Sequence, residues 1–411
     1  MLTLLPYQQR ALKAVQNSIK GSVYIPTGGG KTVVMIEDAR QRILNALEPM
    51  TFVVVAPRIL LANQLCSEFE SYLKDQNVAY MHVHSGETHH QSSTRPAVIA
   101  ECNDTAIGSG KHQFIFTTYN SIGRVNEADI NIDVVYFDEA HHCVKPANFV
   151  GIAHTSSVAD NAYFFTATPK FNNSTESMNN TDVYGSNIIS IPAQELIDAG
   201  SIIPPKVEVF EHQHTRTKHN AAYVDSENVI DILSSLNENE AHKVLVAAPS
   251  TKVIWEMVSQ SNALDRLQQM GYEVLHITSK HGAYIGKNKV SREVFFETLT
   301  DYGNDSNKKF VIFHVSILSE GIDCPGLTHC IMLRNLPMIE MCQTIGRTIR
   351  LHKEDRKALQ EGKIKPGQFA FYHKPCGKII VPTTEGTSNA IEKRLKVIVD
   401  AVFVKGEFVA S

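Results

Sequence analysis

The stretch Ser22-Val23-Tyr24-Ile25-Pro26-Thr27-Gly28-Gly29-Gly30-Lys31-Thr32 constrains this chain more than any other. It reads as a short apolar strand, a glycine turn whose backbone N–H groups can close around an anion, and a helix, opening at Val33, whose N-terminal dipole faces that anion. A phosphate-binding loop needs a lysine and a hydroxyl immediately after its last glycine. Here Gly28 and Gly30 shape the turn, Lys31 would reach the terminal phosphates, and the Thr32 hydroxyl would ligand magnesium. The strict pattern G-x-x-x-x-G-K-[ST] would place glycine at position 25, where the chain has Ile25, so the match is to the looser x-P-T-G-x-G-K-T form. A plain glycine-rich turn between a strand and a helix fits the same letters, so a second signal has to decide.

That signal is Val134-Val135-Tyr136-Phe137-Asp138-Glu139-Ala140-His141, an apolar strand ending in two adjacent carboxylates. Successive strand residues point to opposite sides, but the chain is turning at the strand's end. Asp138 can then face magnesium while Glu139 faces an attacking water, the division of labour that hydrolysis needs. An acidic surface turn would fit in isolation; with a phosphate loop upstream, the chemical reading is preferred. His141-His142, His89-His90 and His82 with His84 lack the helical His-x-x-x-His zinc spacing, and with 18 histidines chance adjacency is expected.

The chain has 411 residues, 43% of them hydrophobic and 20% charged, enough for two or three ordinary globular domains. A net charge of −4 argues against a protein coated in basic surface, so any nucleic-acid contact must come from a local groove. Seven cysteines lie scattered with no C-x-x-C pair, which suits free thiols in a reducing compartment and indicates neither a zinc site nor a disulfide framework. No basic, apolar leader opens the sequence and no stretch approaches the ~18 apolar residues of a membrane helix. The expected location is the cytoplasm or a comparable reducing space.

Apolar strands alternate with helical patterns in both halves, as in parallel sheets flanked by helices. Expected strands are Val23–Ile25, Phe52–Ala56, Tyr80–His82, Gln113–Thr117, Val134–Asp138 and Tyr163–Thr166, then Val244–Ala248, Val274–Ile277, Phe310–His314, Cys330–Leu333 and Phe369–Tyr372. Asn172–Asn180 reads as a mobile loop, and the Pro204-Pro205 pair leads out of the first domain. The expected division is a first domain over 1–205, a polar linker over 206–240 and a second domain over 241–411. In the tail, Lys378–Val381 is expected to help complete the second sheet, with Ile391–Val404 laid over it, while His373-Lys374-Pro375-Cys376-Gly377-Lys378 carries too few charges for a nucleic-acid site.

Pro26–Thr32, Asp138–His141, Thr166-Ala167-Thr168 and Gln343-Thr344-Ile345-Gly346-Arg347-Thr348-Ile349-Arg350 occur in the order found in superfamily 2 helicases and translocases, and the chain resembles a DEAH-box member. Leu5-Pro6-Tyr7-Gln8 is similar to the family's adenine-reading motif, with Leu5 where arginine often stands. Ala56–Gln64 and Thr117–Ser121 resemble motifs that touch the nucleic-acid backbone. Val244–Ser250 resembles the fourth motif and Ser316–Gly326, with Gly321 and Asp323, the fifth.

The resemblance implies two tandem RecA-like domains with an ATP cleft between them, and ATP with Mg2+ as cofactors. Tyr7, Gln8, Gly28, Gly30, Lys31, Thr32, Gly321, Asp323 and Gln343 would bind the nucleotide; Thr32 and Asp138 would hold the metal. Lys31, Glu139, Arg347 and Arg350 would be catalytic, the two arginines meeting the phosphates from the second domain. Their spacing of three puts them on one helical face.

The implied activity is nucleic-acid-stimulated ATP hydrolysis driving movement on, or remodelling of, a nucleic acid held by its backbone without sequence reading. The motif wording looks most like DNA-repair, phage branch-migration and restriction-type members acting on duplex or branched DNA. RNA is the second candidate substrate, and an ATP-gated clamp, or a subunit whose activity lies in a partner protein, is the alternative from another class.

Overall fold

Runs such as Phe52-Val53-Val54-Val55-Ala56 have no polar face, so they can be strands only where helices cover both sides of a sheet. A computed structural model describes residues 3–86, 88–315, 326–384 and 390–404, and it places these runs in two α/β sheets. The chain divides into two compact units, with the boundary between Pro192 and Ala193.

In the first unit the strands are β1 Lys20–Tyr24, β2 Thr51–Ala56, β3 Val78–Val83, β4 Gln91–Ser92, β5 His112–Thr118, β6 Val134–Phe137, β7 Asn161–Thr166 and β8 Ser186–Ser190. Their order is β4-β3-β5-β2-β6-β7-β1-β8, and every neighbouring pair is parallel. One face carries Val53, Val55, Ile115, Val135, Phe137 and Phe164 and is covered by Ile99, Ile122, Val125 and Ile152 from helices 96–108, 122–126 and 146–158. The other carries Phe52, Phe114, Phe116, Tyr136 and Tyr163. It is covered by helices α1 Pro6–Gln16, α2 Lys31–Asn45 and α3 Ile59–Leu73, with Phe69 of α3 against both Phe114 and Phe116 at 5.5 Å. Alternate residues of each strand thus supply two cores.

The second unit holds β9 Pro205–His212, β10 Lys243–Ala247, β11 Glu273–Thr278, β12 Gly282–Ile285, β13 Asn288–Val290, β14 Phe310–His314, β15 His329–Met332 and β16 Gly377–Thr384, in the order β13-β12-β11-β14-β10-β15-β16-β9. Pairing is parallel except for the antiparallel edge β11-β12-β13. At that edge Trp255 stacks on His281, ring centroids 4.4 Å apart.

The expected runs recur as strands with one exception, and Lys378–Val381 does complete the second sheet, within β16. Phe369–Tyr372 is not a strand: Phe369–Phe371 is a single 3-10 turn with Phe371 exposed, and the Phe369 ring turns back onto Tyr372, centroids 5.3 Å apart. Residues 206–240, expected as a linker, instead contain nearly all of β9 and the helix Ala221–Ser234. β9 pairs over its whole length with β16, Pro205 opposite Gly377 through His212 opposite Thr384. It escapes a hydrophobicity reading because its side chains are mostly half exposed on a sheet edge.

Phe114 lies stacked on Phe52 at 4.5 Å beneath Phe69, with no exposure. Phe114→Ala should cost the first unit about 3–5 kcal/mol through lost contacts and an unfilled cavity. Denaturant titration should show this as a lower midpoint with far-UV spectra unchanged before the transition.

Candidate functional site

The strand order brings the site together. β6, β7 and β1 are neighbours, with Phe137 opposite Phe164 and Tyr24 opposite Thr166, so the chain leaves all three at one carboxyl edge of the sheet. Ligands of open parallel sheets bind outside such an edge. Asp138-Glu139 follows β6, Thr166 ends β7, and the glycine loop follows β1.

The loop turns on its glycines. Gly28 and Gly30 have φ of 86° and 79°, the left-handed region that side chains resist, and the Gly29 N–H donates to the Pro26 carbonyl at 3.0 Å. Helix α2 then begins at Lys31, and the amides of its first turn have no acceptor within the helix. The helix is pinned to the sheet from below: Asp38 accepts from Arg42 Nε at 2.9 Å and from the Tyr136 hydroxyl at 2.6 Å, while Arg42 also donates to the Tyr163 hydroxyl at 2.7 Å.

Gln8 reaches the same loop. Its Nε2 donates to the Gly29 carbonyl at 3.1 Å, while its Oε1 accepts from the Leu5 N–H at 3.0 Å. Tyr7, by contrast, is 2% exposed and packs in the core under α1.

At the acidic turn, Lys31 Nζ lies 3.4 Å from Glu139 Oε1, and His141 Nδ1 lies 3.4 Å from Glu139 Oε2 and 3.1 Å from the Thr166 hydroxyl. Thr166 in turn accepts from the Thr168 N–H at 3.1 Å. Sequence order alone did not connect His141 to Thr166; adjacent strands do. Glu139 adopts φ 49° and ψ 52°, an uncommon conformation for a residue with a side chain and one that stores strain at functional turns.

The electrostatics are set by burial. Burial and the neighbouring Glu139 push the Asp138 carboxyl well above its ordinary range, with Lys31 only partly opposing. For Glu139, burial also raises the value, but Lys31 and the two histidines outweigh it and hold the carboxyl below its usual range. Burial drives His141 down to about 4, so its imidazole is neutral at pH 7. His142 is lowered further, to about 3, by burial and then by His141, with Lys145 and Arg58 adding to it. Lys145 in turn is lowered by burial and by Arg58 and Lys170, which locates a group of cations beside the acidic turn that no motif spacing had indicated.

These residues fit a nucleotide with a divalent cation. Asp138 Oδ1 is buried without a hydrogen-bond partner, an oxygen suited to a cation, while Glu139 Oε2 makes no hydrogen bond and has only the 3.4 Å contact with His141 Nδ1. Thr32 stands partly exposed in the first turn of α2. Among the described residues no group of three or more His, Cys, Asp or Glu could hold a metal by itself.

In the second unit Gln343 and Arg347 lie on the helix Met338–Thr348, Arg347 being 6% exposed in its last turn. Arg347 and Arg334 add to burial in driving the His314 imidazole, at the end of β14, down to about 3. Arg350 does not continue the helix, contrary to the expectation of a shared helical face. The Ile203 N–H takes the Ile349 carbonyl at 2.9 Å, Ile202 bridges Arg350, and Lys374 Nζ donates to the Arg350 carbonyl at 2.9 Å, so the chain is drawn out past Thr348. Gly321 and Asp323 lie outside the described residues.

A Cβ on Gly30 would meet Gln8 Nε2 at 2.5 Å on a backbone with φ 79°. Gly30→Ala should therefore destabilise the first unit by about 1–2 kcal/mol through the left-handed conformation alone. Adding Gln8→Ala should recover only the collision, a difference readable by denaturant unfolding of the single and double variants.

Sequence comparison matches residues 1–171 to the family described as type III restriction enzyme, res subunit, and residues 226–352 to the helicase conserved C-terminal domain. A comparison with curated protein sequences found no match. Among solved structures, the ATP-dependent Type ISP restriction-modification enzyme LlaBIII bound to DNA is similar with a TM-score of 0.69 at 16% identity, over 98% of this chain and 30% of that one. A nuclease-deletion mutant of the Type ISP enzyme LlaGI, in complex with a DNA substrate mimic, is similar with a TM-score of 0.65 at 17% identity, over 97% of this chain and 28% of that one. The chain thus spans less than a third of either enzyme, and the likeness is one of fold: tandem RecA-like domains. With residues 1–171 and 226–352 matched in tandem to these two domains, the chain has the domain make-up of a superfamily 2 helicase or translocase and is related to the restriction-type members of that superfamily.

Proposed function

We propose that this chain is an ATPase that couples Mg2+-dependent ATP hydrolysis to movement along, or remodelling of, duplex or branched DNA. The observation that carries the reading is the chain Lys31–Glu139–His141–Thr166 beside a phosphate loop, with the neighbouring Asp138 Oδ1 buried and without a hydrogen-bond partner. DNA is favoured over RNA because the matched first domain is of a restriction-enzyme type and the two solved structures named above were determined with DNA or a DNA mimic. The Asp138–His141 wording makes it a DEAH type, and free thiols at the described cysteines suit a cytoplasmic setting.

Magnesium, when bound, would neutralise phosphate charge and draw Asp138 into its ionised form. Lys31, which rests on Glu139, would turn its ammonium toward the terminal phosphates when they are present. That movement frees Glu139 Oε1 to orient a water and take its proton, while neutral His141, held by Thr166, stays beside Oε2. Gln8, fixed on the Gly29 carbonyl, retains a second N–H and a second lone pair for an adenine edge. Arg347 and Arg350 would neutralise charge developing on the transferred group, and Ala56–Gln64 and Thr117–Ser121 would meet the DNA backbone through amides and hydroxyls rather than bases.

ATPase rates with single-stranded, duplex and forked DNA and with RNA, measured side by side, test the reading. Duplex or forked DNA should stimulate most, and stimulation by RNA alone would overturn the choice of DNA. Lys31→Ala should abolish turnover in a folded protein. Glu139→Gln should bind ATP yet lose roughly 10²–10⁴ in rate. Arg347→Ala should lower kcat by up to about 10³–10⁵ with little change in nucleotide-free DNA binding. Normal hydrolysis by the Glu139→Gln protein would reassign the acidic turn.

A further inference from the structure

The segment Thr117–Ser121 leaves β5 at the same carboxyl edge as the acidic turn, and its one aromatic residue points inward. Tyr119 is 3% exposed, stacked over Phe137 at 6.4 Å and near the His142 ring at 6.2 Å. Its hydroxyl donates to the Asp138 carbonyl oxygen at 2.6 Å, a buried bond at the short end of the usual range. The Cys143 thiol lies against the same hydroxyl.

The surroundings make this bond a control point. The end of β2 holds both partners by their backbones: the Tyr119 N–H donates to the Ala56 carbonyl at 3.1 Å and the Asp138 N–H to the Val55 carbonyl at 2.9 Å. The peptide whose oxygen Tyr119 holds is the one joining Asp138 to Glu139, immediately before the backbone enters its left-handed conformation. Fixing that peptide plane fixes the direction in which the Glu139 carboxylate leaves the chain. On the other side of Tyr119, exposed Asn120 and partly exposed Ser121 present the loop's polar face, and the loop is closed by the Thr118 hydroxyl donating to the Ser121 hydroxyl at 3.2 Å. A shift of this small turn must move the Tyr119 ring, which has no free space, and with it the Asp138 carbonyl.

We propose that Tyr119 is a positioning residue that links the loop 117–121 to the acidic pair, so that a DNA backbone engaged by the loop's outer face sets the Glu139 carboxylate for hydrolysis. The proposal rests on the motor reading above. It adds a path from DNA contact to chemistry that runs through one hydroxyl.

Tyr119→Phe keeps the ring and its packing and removes only the hydroxyl. In the full chain, the DNA-stimulated kcat should fall roughly tenfold, the rate equivalent of about one hydrogen bond. The unstimulated rate should fall less, so the stimulation ratio drops. KM for ATP and the Kd for duplex DNA should stay within about twofold, since neither ligand touches the ring. Thermal unfolding read on the same samples separates this from a structural effect: a loss of stability in which stimulated and unstimulated rates fall by one common factor would overturn the proposal. An unchanged stimulation ratio in a folded variant would also overturn it, while leaving the motor reading intact. A wild-type protein whose turnover ignores DNA would remove both.

Discussion

The contact between Lys31 and Glu139 depends on every level of the first unit. The lysine stands at the head of a helix that begins only because Gly28 and Gly30 turn the chain through left-handed backbone, and the glutamate stands in the same uncommon conformation after β6. The two residues are far apart in sequence and meet because β1 and β6 flank β7 in a parallel sheet. Parallel pairing in turn requires crossover helices on both faces, and these demand strands apolar on both sides. The runs Val134–Phe137 and Tyr163–Thr166 are apolar for the sake of a carboxylate that lies beyond their ends.

That contact also explains how two acidic groups persist in a nearly dry place. An isolated buried carboxylate is costly, and Asp138, with only partial help from Lys31, is pushed toward its neutral form. Against the effect of burial, Glu139 is held below its usual range chiefly because the Lys31 ammonium faces it. The two neighbours therefore differ in readiness: one is an anion held by the protein, the other awaits an external positive charge. Burial keeps His141 neutral, so its Nδ1 can exchange a hydrogen bond with the Thr166 hydroxyl beside the Glu139 carboxylate without adding a competing cation.

Much of this was legible in the sequence, because its strongest signals are local. A glycine loop followed by Lys-Thr, and Asp-Glu at the end of an apolar run, are set by spacing alone, and strands buried on both faces declare themselves by composition. What was not legible depends on neighbours. The edge strand Pro205–His212 is half exposed and looks like linker until β16 is beside it. Arg350 has the spacing of a helical residue, yet Ile202, Ile203 and Lys374 compete for the backbone there and win it. Lys374, in a stretch read only as too weakly charged for a nucleic-acid site, is buried with its ammonium on the Arg350 carbonyl. Tyr119 falls within a recognisable motif, but a tyrosine between Thr118 and Asn120 says nothing about which carbonyl its hydroxyl will find.

The aromatic stack at the edge of the second sheet has a consequence for how this molecule reports on itself. Trp255 is the only tryptophan in the chain, and its ring lies flat against His281, with Tyr284 meeting it edge-on at 5.9 Å. An indole so placed emits according to the state of that stack, and the first unit contains no indole to mask it. Tryptophan emission therefore follows the second unit alone, while the tyrosines and the backbone absorb for both. A chain built of two similar sheets thus carries an intrinsic optical label on one of them, and loss of order in either half can be told from loss in the other without adding a probe.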